Sequence, residues 1–108
     1  MQSRNPSSGF CHGVLSILKN HRGTIKNQFH VKRIGIYGSV IRGEERDDSD
    51  IDILVDFEPG QATLRNYMSL RRYLKALFSR EIDLVTTGSL SVYIRPYVER
   101  EVVWIAQR

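Results

Sequence analysis

An alternation of acidic and apolar residues near the middle of the chain constrains the fold more than any other feature. Asp50 and Asp52 interrupt an apolar run that continues through Ile51 and Ile53 to Phe57. Successive side chains of a β-strand point to opposite faces, so the two carboxylates share one face and the isoleucines share the other. The sequence therefore predicts a strand that packs its apolar face on helices and presents two carboxylates on the opposite face. Such a pair is typical of a Mg²⁺ site, because this cation binds carboxylates together with substrate phosphates.

A later strand is predicted to carry a third carboxylate on the same face. Asp83 interrupts the apolar run 81–85 and has an apolar residue on either side. If the two strands are neighbours, Asp83 comes alongside Asp50 and Asp52. Three carboxylates on one face repel one another, and a bound cation offsets that repulsion. The arrangement is typical of two-metal catalysis, in which cations about 3.5–4 Å apart hold the attacking and leaving oxygens.

A Gly-Ser turn upstream of the acidic pair is a candidate phosphate site. Gly38 lets the backbone approach a phosphate, Ser39 adds a hydroxyl, and Arg42 either reaches the same triphosphate or is a solvated loop arginine. The turn lacks the Gly-Lys-Ser/Thr sequence of a Walker-type phosphate loop. A calcium loop of the EF-hand type is excluded as well, because Ile53 occupies its glycine position and Pro59 its closing glutamate position.

Charge is segregated along the 108 residues, whose net charge is +4. Residues 44–58 hold eight of the twelve acidic residues and one basic residue. This segregation indicates either an acidic metal pocket within a basic field that attracts nucleoside triphosphates, or a basic surface with one acidic loop. The basic residues are not interleaved with aromatic residues in a recognisable module, so direct nucleic-acid binding is not expected. No apolar run reaches membrane-spanning length, and the single cysteine fits a reducing compartment. We therefore expect a cytoplasmic protein without a membrane partner.

Hydrophobic spacing predicts one mixed α/β domain over residues 11–108, after a poorly ordered lead-in at residues 1–10. The first expected element is a helix over 11–29, with a bend or early end at Gly23. Strands at 31–37 and 51–57, a helix at 63–79 and a strand at 81–85 follow in that order. The last is a helix over 90–100 that Pro96 kinks or begins. Residues 102–105 are expected to form either a short edge strand or the tail of the last helix.

The Gly-Ser turn, the Asp-x-Asp pair ten residues later and the third Asp resemble the nucleotidyltransferases of the DNA polymerase beta superfamily. The pattern Gly-Ser-x-x-Arg-Gly, followed by Ser-Asp-Ile-Asp-Ile-Leu-Val, is similar to the minimal prokaryotic branch, the MNT proteins. Family members commonly have Ala where this chain has Ile41. The resemblance implies a polymerase-beta-like fold, with a small mixed sheet and helices packed on one face.

The same resemblance implies an enzyme and its ligands. Asp50, Asp52 and Asp83 would be the catalytic metal ligands, with two Mg²⁺ ions present when substrate is bound. Gly38 and Ser39 would contact the triphosphate of ATP. The reaction would transfer AMP to an acceptor hydroxyl and release pyrophosphate.

The family also implies a partner and a biological role. MNT proteins are often paired with a HEPN-domain ribonuclease toxin and act as its antitoxin, in some cases by adding AMP to a tyrosine of the toxin. Larger nucleotidyltransferases carry a further domain for the acceptor, so a protein acceptor is expected here. Two alternatives stay open: an antitoxin that neutralises by binding alone, and transfer to a small molecule such as an aminoglycoside.

Overall fold

The computed structural model describes residues 6–44, 46 and 49–105, with side chains from residue 9 onward. Residues 1–5 of the predicted lead-in lie outside this part, as do residues 45, 47, 48 and 106–108 of the predicted domain. Helix α1 begins at Pro6 and therefore takes in residues 6–10 of the predicted lead-in. Within the described ranges, no helix is both long and apolar enough to cross a membrane.

A four-stranded mixed sheet forms the centre of the fold. Its strands are β1 (Val31–Tyr37), β2 (Ile51–Phe57), β3 (Ile82–Thr86) and β4 (Val103–Trp104), in the spatial order β3-β2-β1-β4. β1 pairs antiparallel with β2 and β4, whereas β2 and β3 are parallel. The structure confirms the predicted mixed sheet. It also decides between the two alternatives for the C-terminal segment, because β4 is an edge strand beside β1.

In the described part of the chain, five α-helices accompany the sheet. They are α1 (Pro6–Asn20), α2 (Arg22–Phe29), α3 (Ser39–Arg42), α4 (Leu64–Phe78) and α5 (Arg95–Glu101). The side chain of Thr63 caps α4 by accepting a hydrogen bond from the amide of Asn66, as is usual for a threonine at this position. α5 begins later than predicted, with Pro96 in its first turn, where the missing N–H removes no helical hydrogen bond.

The single N-terminal helix predicted over residues 11–29 is wrong, because the chain forms two helices that meet at His21. The ring Nδ1 of His21 lies 2.8 Å from the carbonyl oxygen of Ile17, and its ring packs edge-on against Tyr73 of α4. These contacts hold the residue outside regular helical geometry, at φ −107° and ψ 10°. Gly23, the predicted site of a bend, lies inside α2 instead. The contact between His21 and Tyr73 thus places the break between α1 and α2 at His21.

The main core lies between the sheet and the helices on its apolar face. Ile51, Ile53 and Val55 of β2 are fully buried in a cluster that also holds residues of α1, α2 and α4. Each such buried aliphatic side chain contributes about 1.5–3 kcal/mol to stability. Because these residues alternate with acidic ones along β2, the core fixes which face the carboxylates occupy.

The carboxylate face is partly covered by the C-terminal segment. Leu54 lies on this face and is fully buried, and its partner across the sheet is Gly35 of β1. A Cβ atom at Gly35 would lie 3.0 Å from Cγ2 of Val102 and 2.6 Å from the carbonyl oxygen of Val103. The chain that follows α5 therefore passes too close to β1 for any side chain at position 35.

Candidate active site

Three polar side chains lie in a row across the carboxylate face. Asp52 of β2 pairs in register with Asp83 of β3 on one side and with Tyr37 of β1 on the other. Asp52 is half-buried, whereas Asp83 is exposed on the outermost strand. Asp50 is exposed and immediately precedes β2. The structure confirms that the strands carrying Asp52 and Asp83 are neighbours; the roles of these residues as ligands stay a prediction.

The environment of Asp52 raises the pKa of its carboxyl group. Burial and the negative charge of Asp83 raise the pKa of Asp52 to about 6, and a hydrogen bond between the two carboxyl groups adds to the effect. The charge of Asp50 contributes more weakly in the same direction. The backbone amide of Ser39 opposes these effects by donating a hydrogen bond to Asp52. The ionised form of Asp52 is therefore destabilised in the metal-free site, and a bound cation would relieve this cost.

The donor chemistry of this pair fits Mg²⁺. Among the described residues, no group of three or more His, Cys, Asp or Glu side chains converges closely enough to hold a metal ion. Mg²⁺ does not need such a cage, since it is usually bound through one or two carboxylates, substrate phosphates and water. Asp52 and Asp83 supply the two carboxylates. Asp50 lies one alternation step away, at the entrance to β2.

The Gly-Ser turn touches the central carboxylate. Gly38 links β1 to α3 with φ +80° and ψ −146°, a backbone conformation that side-chain-bearing residues avoid. A Cβ atom there would lie 3.0 Å from Cγ of Asp52 and would overlap its Oδ2 atom. The next residue, Ser39, donates its amide hydrogen to the same carboxylate. The structure thus brings Gly38 and Ser39, the predicted phosphate contacts, against Asp52.

Arg42, at the end of α3, is held by two carboxylates. Its Nη1 donates to Oε2 of Glu101 at 2.7 Å, and its Nε donates to Oε1 of Glu44 at 3.0 Å. Glu101 also accepts the backbone N–H of Gly38 at 3.1 Å. Arg42 is therefore an exposed arginine that is ion-paired, and its contact with a triphosphate stays a prediction. A guanidinium has five N–H donors, so Arg42 can keep both carboxylates and still donate to a phosphate.

Two residues of this region were not found from the sequence. Burial, followed by the charges of Asp52, Asp83 and Glu101, raises the pKa of the Tyr37 phenol to about 12. The phenol therefore stays protonated and can donate a hydrogen bond on the carboxylate face. The position of Tyr37 directly before the Gly-Ser turn could have pointed to it as a site residue. Nothing in the sequence pointed to Glu101, because its partners lie far away in the chain.

Arg80 ties together the chain segments that enter β2 and β3. Its Nη2 donates to the carbonyl oxygens of Arg46 and Ser49, at 2.8 and 2.6 Å. Its guanidinium also lies 4.7 Å from the centre of the Phe10 ring. Because Ser49 directly precedes Asp50, these hydrogen bonds hold the backbone immediately before the acidic pair.

Asp56 lies on the same face but belongs to a separate polar group. It pairs with Arg33 at 3.3 Å and accepts a hydrogen bond from Thr87 Oγ1 at 3.1 Å. The guanidinium of Arg33 in turn lies 4.0 Å from the centre of the Trp104 ring. The structure thus gives Asp56 a local structural role at the far end of β2.

Comparison with known proteins identifies the family of this chain. Residues 18–105 match the family model of the nucleotidyltransferase domain. The chain belongs to this family. It is 44% identical over 92 residues to the protein adenylyltransferase MntA of Thermococcus cleftensis, an alignment that covers 85% of this chain and 92% of that relative. A Methanocaldococcus jannaschii protein with the provisional name of protein adenylyltransferase is 32% identical over 94 residues, covering 85% and 94% of the two chains.

Solved structures share the fold. One described provisionally as a minimal nucleotidyltransferase is 35% identical, with a TM-score of 0.69 and coverage of 82% of this chain and 93% of the other. A toxin–antitoxin structure with AMP-PNP superposes with a TM-score of 0.67 over 83% of this chain and 73% of the other. At 21% identity, that second likeness shows the fold alone. The expected minimal-nucleotidyltransferase fold is confirmed.

Proposed function

We propose that this nucleotidyltransferase is a metal-dependent protein adenylyltransferase that works in the cytoplasm as an antitoxin. It transfers AMP from ATP to a hydroxyl of a partner protein, a tyrosine of a HEPN-domain ribonuclease toxin. Support comes from the relative named protein adenylyltransferase MntA, at 44% identity, and from the fold shared with a solved toxin–antitoxin complex that contains AMP-PNP.

The pairing of Asp52 with Asp83 is the observation that carries this proposal. Two carboxylates in register on adjacent strands, one of them half-buried, form an arrangement that is costly without a cation. The Gly-Ser turn lies against the same carboxylate, so that a triphosphate bound there reaches the metal position. This combination suits phosphoryl chemistry more than a purely structural role.

Each residue of the site has a distinct task in the proposed reaction. Asp52 and Asp83, with Asp50 as a further ligand, would hold Mg²⁺, which would supply positive charge for the transferred phosphoryl group and the leaving pyrophosphate. Gly38 lets a phosphate approach the turn closely, Ser39 contacts the triphosphate through its hydroxyl, and Arg42 offers its remaining N–H donors.

Proton transfer falls to the exposed carboxylate of the pair. The Asp83 carboxylate accepts the proton of the acceptor hydroxyl as its oxygen bonds to the α-phosphorus. The bond between the α-phosphorus and the bridging oxygen then breaks, and pyrophosphate leaves with the electron pair of that bond. The half-buried Asp52 is less able to meet a hydroxyl on another protein.

The test is a labelling reaction with a HEPN-domain toxin from the same genome, Mg²⁺ and ATP labelled at the α-phosphate. Transfer of the label to the toxin, and none from ATP labelled at the γ-phosphate, is expected. Asp52→Asn and Asp83→Asn should each lower the rate at least about a hundredfold, since metal coordination contributes several kcal/mol to catalysis. Asp56→Asn is the matched control, because Asp56 shares the strand and face of Asp52 but contacts Arg33 and Thr87.

Other outcomes identify the alternatives. If the toxin stays unlabelled, and the Asp52→Asn protein still forms the complex and neutralises it, the protein is a binding antitoxin. Labelling of an aminoglycoside in place of the toxin would indicate a small-molecule enzyme. Label that stays on the toxin after its acceptor tyrosine is replaced by Phe would contradict a tyrosine target.

A further inference from the structure

Glu101 connects the last helix of the described chain to the Gly-Ser turn. One carboxylate oxygen accepts the Gly38 N–H at 3.1 Å, and the other accepts Nη1 of Arg42 at 2.7 Å. Glu101 is the final residue of α5; of its two partners, Gly38 directly precedes α3 and Arg42 ends it. One side chain therefore holds the short helix of the turn at both ends.

The turn is held between two carboxylates through consecutive amides. The N–H of Gly38 donates to Glu101, and the N–H of Ser39 donates to Asp52. Hydrogen bonds to ionised carboxylates are roughly twice as strong as those between neutral groups. The backbone at Gly38 has the unusual φ of +80°, and such conformations persist when the surroundings over-determine them. The two carboxylates provide that constraint from opposite sides of the turn.

The two carboxylates that hold Arg42 are not equivalent. The Glu101 side chain is 25% exposed, whereas that of Glu44 is 64% exposed. Exposed ion pairs contribute little because water and salt screen them. The Glu101 carboxylate also accepts the backbone N–H of Gly38 at 3.1 Å. Glu44 bonds the turn through its own backbone N–H, which donates to the carbonyl oxygen of Ser39 at 2.8 Å. Glu101 is therefore the less exposed of the two side chains and the one that links Arg42 to the Gly38 amide.

We propose that Glu101 is a positioning residue, which keeps the Gly-Ser turn and Arg42 in place against Asp52. It acts through these groups and does not itself contact the nucleotide. The inference rests on the proposed function only in naming a triphosphate as the ligand of the turn; the link between Glu101 and the turn stands on the contacts of the nucleotide-free protein. Loss of this link should loosen the turn without unfolding the sheet.

Amide exchange with solvent, measured by NMR on the nucleotide-free protein, tests the link directly. Glu101→Ala should accelerate exchange at Gly38 about ten- to a hundredfold, because it removes a charge-assisted hydrogen bond. Glu101→Gln should give a smaller effect, since its carbonyl oxygen can still accept the Gly38 N–H. Glu99→Ala is the matched control, an exposed glutamate on the same helix. The Gln variant also preserves the test if the Ala variant fails to fold.

Nucleotide binding then connects the link to the site. At a temperature well below the unfolding midpoint of every variant, calorimetry with AMP-PNP and Mg²⁺ should show about tenfold weaker binding for Glu101→Ala and unchanged binding for Glu99→Ala. In the transfer assay, KM for ATP should rise in the same order as Gly38 exchange: Glu99→Ala, Glu101→Gln, Glu101→Ala.

The outcomes separate this inference from the proposed function. Gly38 exchange that stays within about twofold of the Glu99→Ala control in both Glu101 variants would overturn the inference, whatever the enzyme does. Suppose instead that Gly38 exchange and AMP-PNP binding change as expected, but the wild-type protein transfers no AMP to any toxin. These results would support the role of Glu101 and overturn the proposed function.

Discussion

Replacement of Gly38 by alanine tests whether the Gly-Ser turn positions Asp52. The substitution has two separable effects. The first is backbone strain, because alanine must adopt φ +80°, at about 1–3 kcal/mol. The second is a collision, because the new Cβ lies 3.0 Å from Cγ of Asp52 and overlaps Oδ2. Relief of that overlap requires the carboxylate to move by about 1 Å to restore normal contact distances.

Gly60 provides a control for the first effect alone. Its φ is +79°, almost that of Gly38, but a Cβ atom there would meet nothing within 4 Å. Both Gly38→Ala and Gly60→Ala should therefore lower the unfolding midpoint, by about 4–8 °C for each kcal/mol of strain. Only Gly38→Ala should also lower kcat for AMP transfer, by about a hundredfold, which is the usual cost of a 1 Å misplacement of a reacting group.

Thermal unfolding and steady-state transfer, measured on both variants, give the comparison. If Gly38→Ala keeps activity within about threefold of the wild type, the turn does not position Asp52 and the reasoning is refuted. The same conclusion holds if Gly60→Ala loses as much activity as Gly38→Ala, because the loss would then reflect backbone strain in general.

Two further predictions concern the carboxylates and the loop that carries them. Since the folded-state pKa of Asp52 is raised to about 6, its ionised form opposes folding above pH 6, and this free-energy cost decreases as the pH falls toward 4. Asp52→Asn should therefore stabilise the metal-free protein by about 1–2 kcal/mol at pH 7–8, after allowance for solvent screening, and by almost nothing at pH 4. Denaturant titrations at each pH measure the difference. Arg80→Ala removes the hydrogen bonds to the carbonyl oxygens of Arg46 and Ser49, so it should lower the free energy of unfolding by about 1–3 kcal/mol. It should also raise the Mg²⁺ concentration needed for half-maximal transfer. An unchanged Mg²⁺ dependence would show that these contacts do not position Asp50.

The alternation of β2 shows why much of the fold could be predicted. Ile51 and Ile53 had to face a core, so their acidic neighbours had to face away from it, and β1 and β2 have the predicted bounds. The same alternation of side chains put Asp83 on the face of Asp52, and the two residues lie side by side because their strands are neighbours. Local patterns were sufficient here because a strand assigns faces by sequence spacing alone.

The contacts of Glu101 show why the rest could not be predicted. Its bonds join residues 59 and 63 positions apart, and no local pattern encodes such a distance. The break at His21 is similar, since the ring contact with Tyr73 of α4 holds it. The ion pair between Arg42 and Glu101 likewise depends on where α5 ends in space, whereas the pair with Glu44 is local. These missed contacts join distant elements, whereas the bounds and faces of β1 and β2 follow from residues within one element.

The position of Asp83 on the outermost strand has a consequence for water. β3 ends the sheet, and the Asp83 side chain is exposed there, so a large acceptor can approach without entering a walled cavity. The same opening admits water, which competes with any acceptor hydroxyl for the activated phosphate. Under the proposed function, the acceptor protein has to supply the missing wall as well as the hydroxyl. Selectivity for protein over water would then be a property of the docked pair, because Asp83 is in contact with solvent in the described part of this chain.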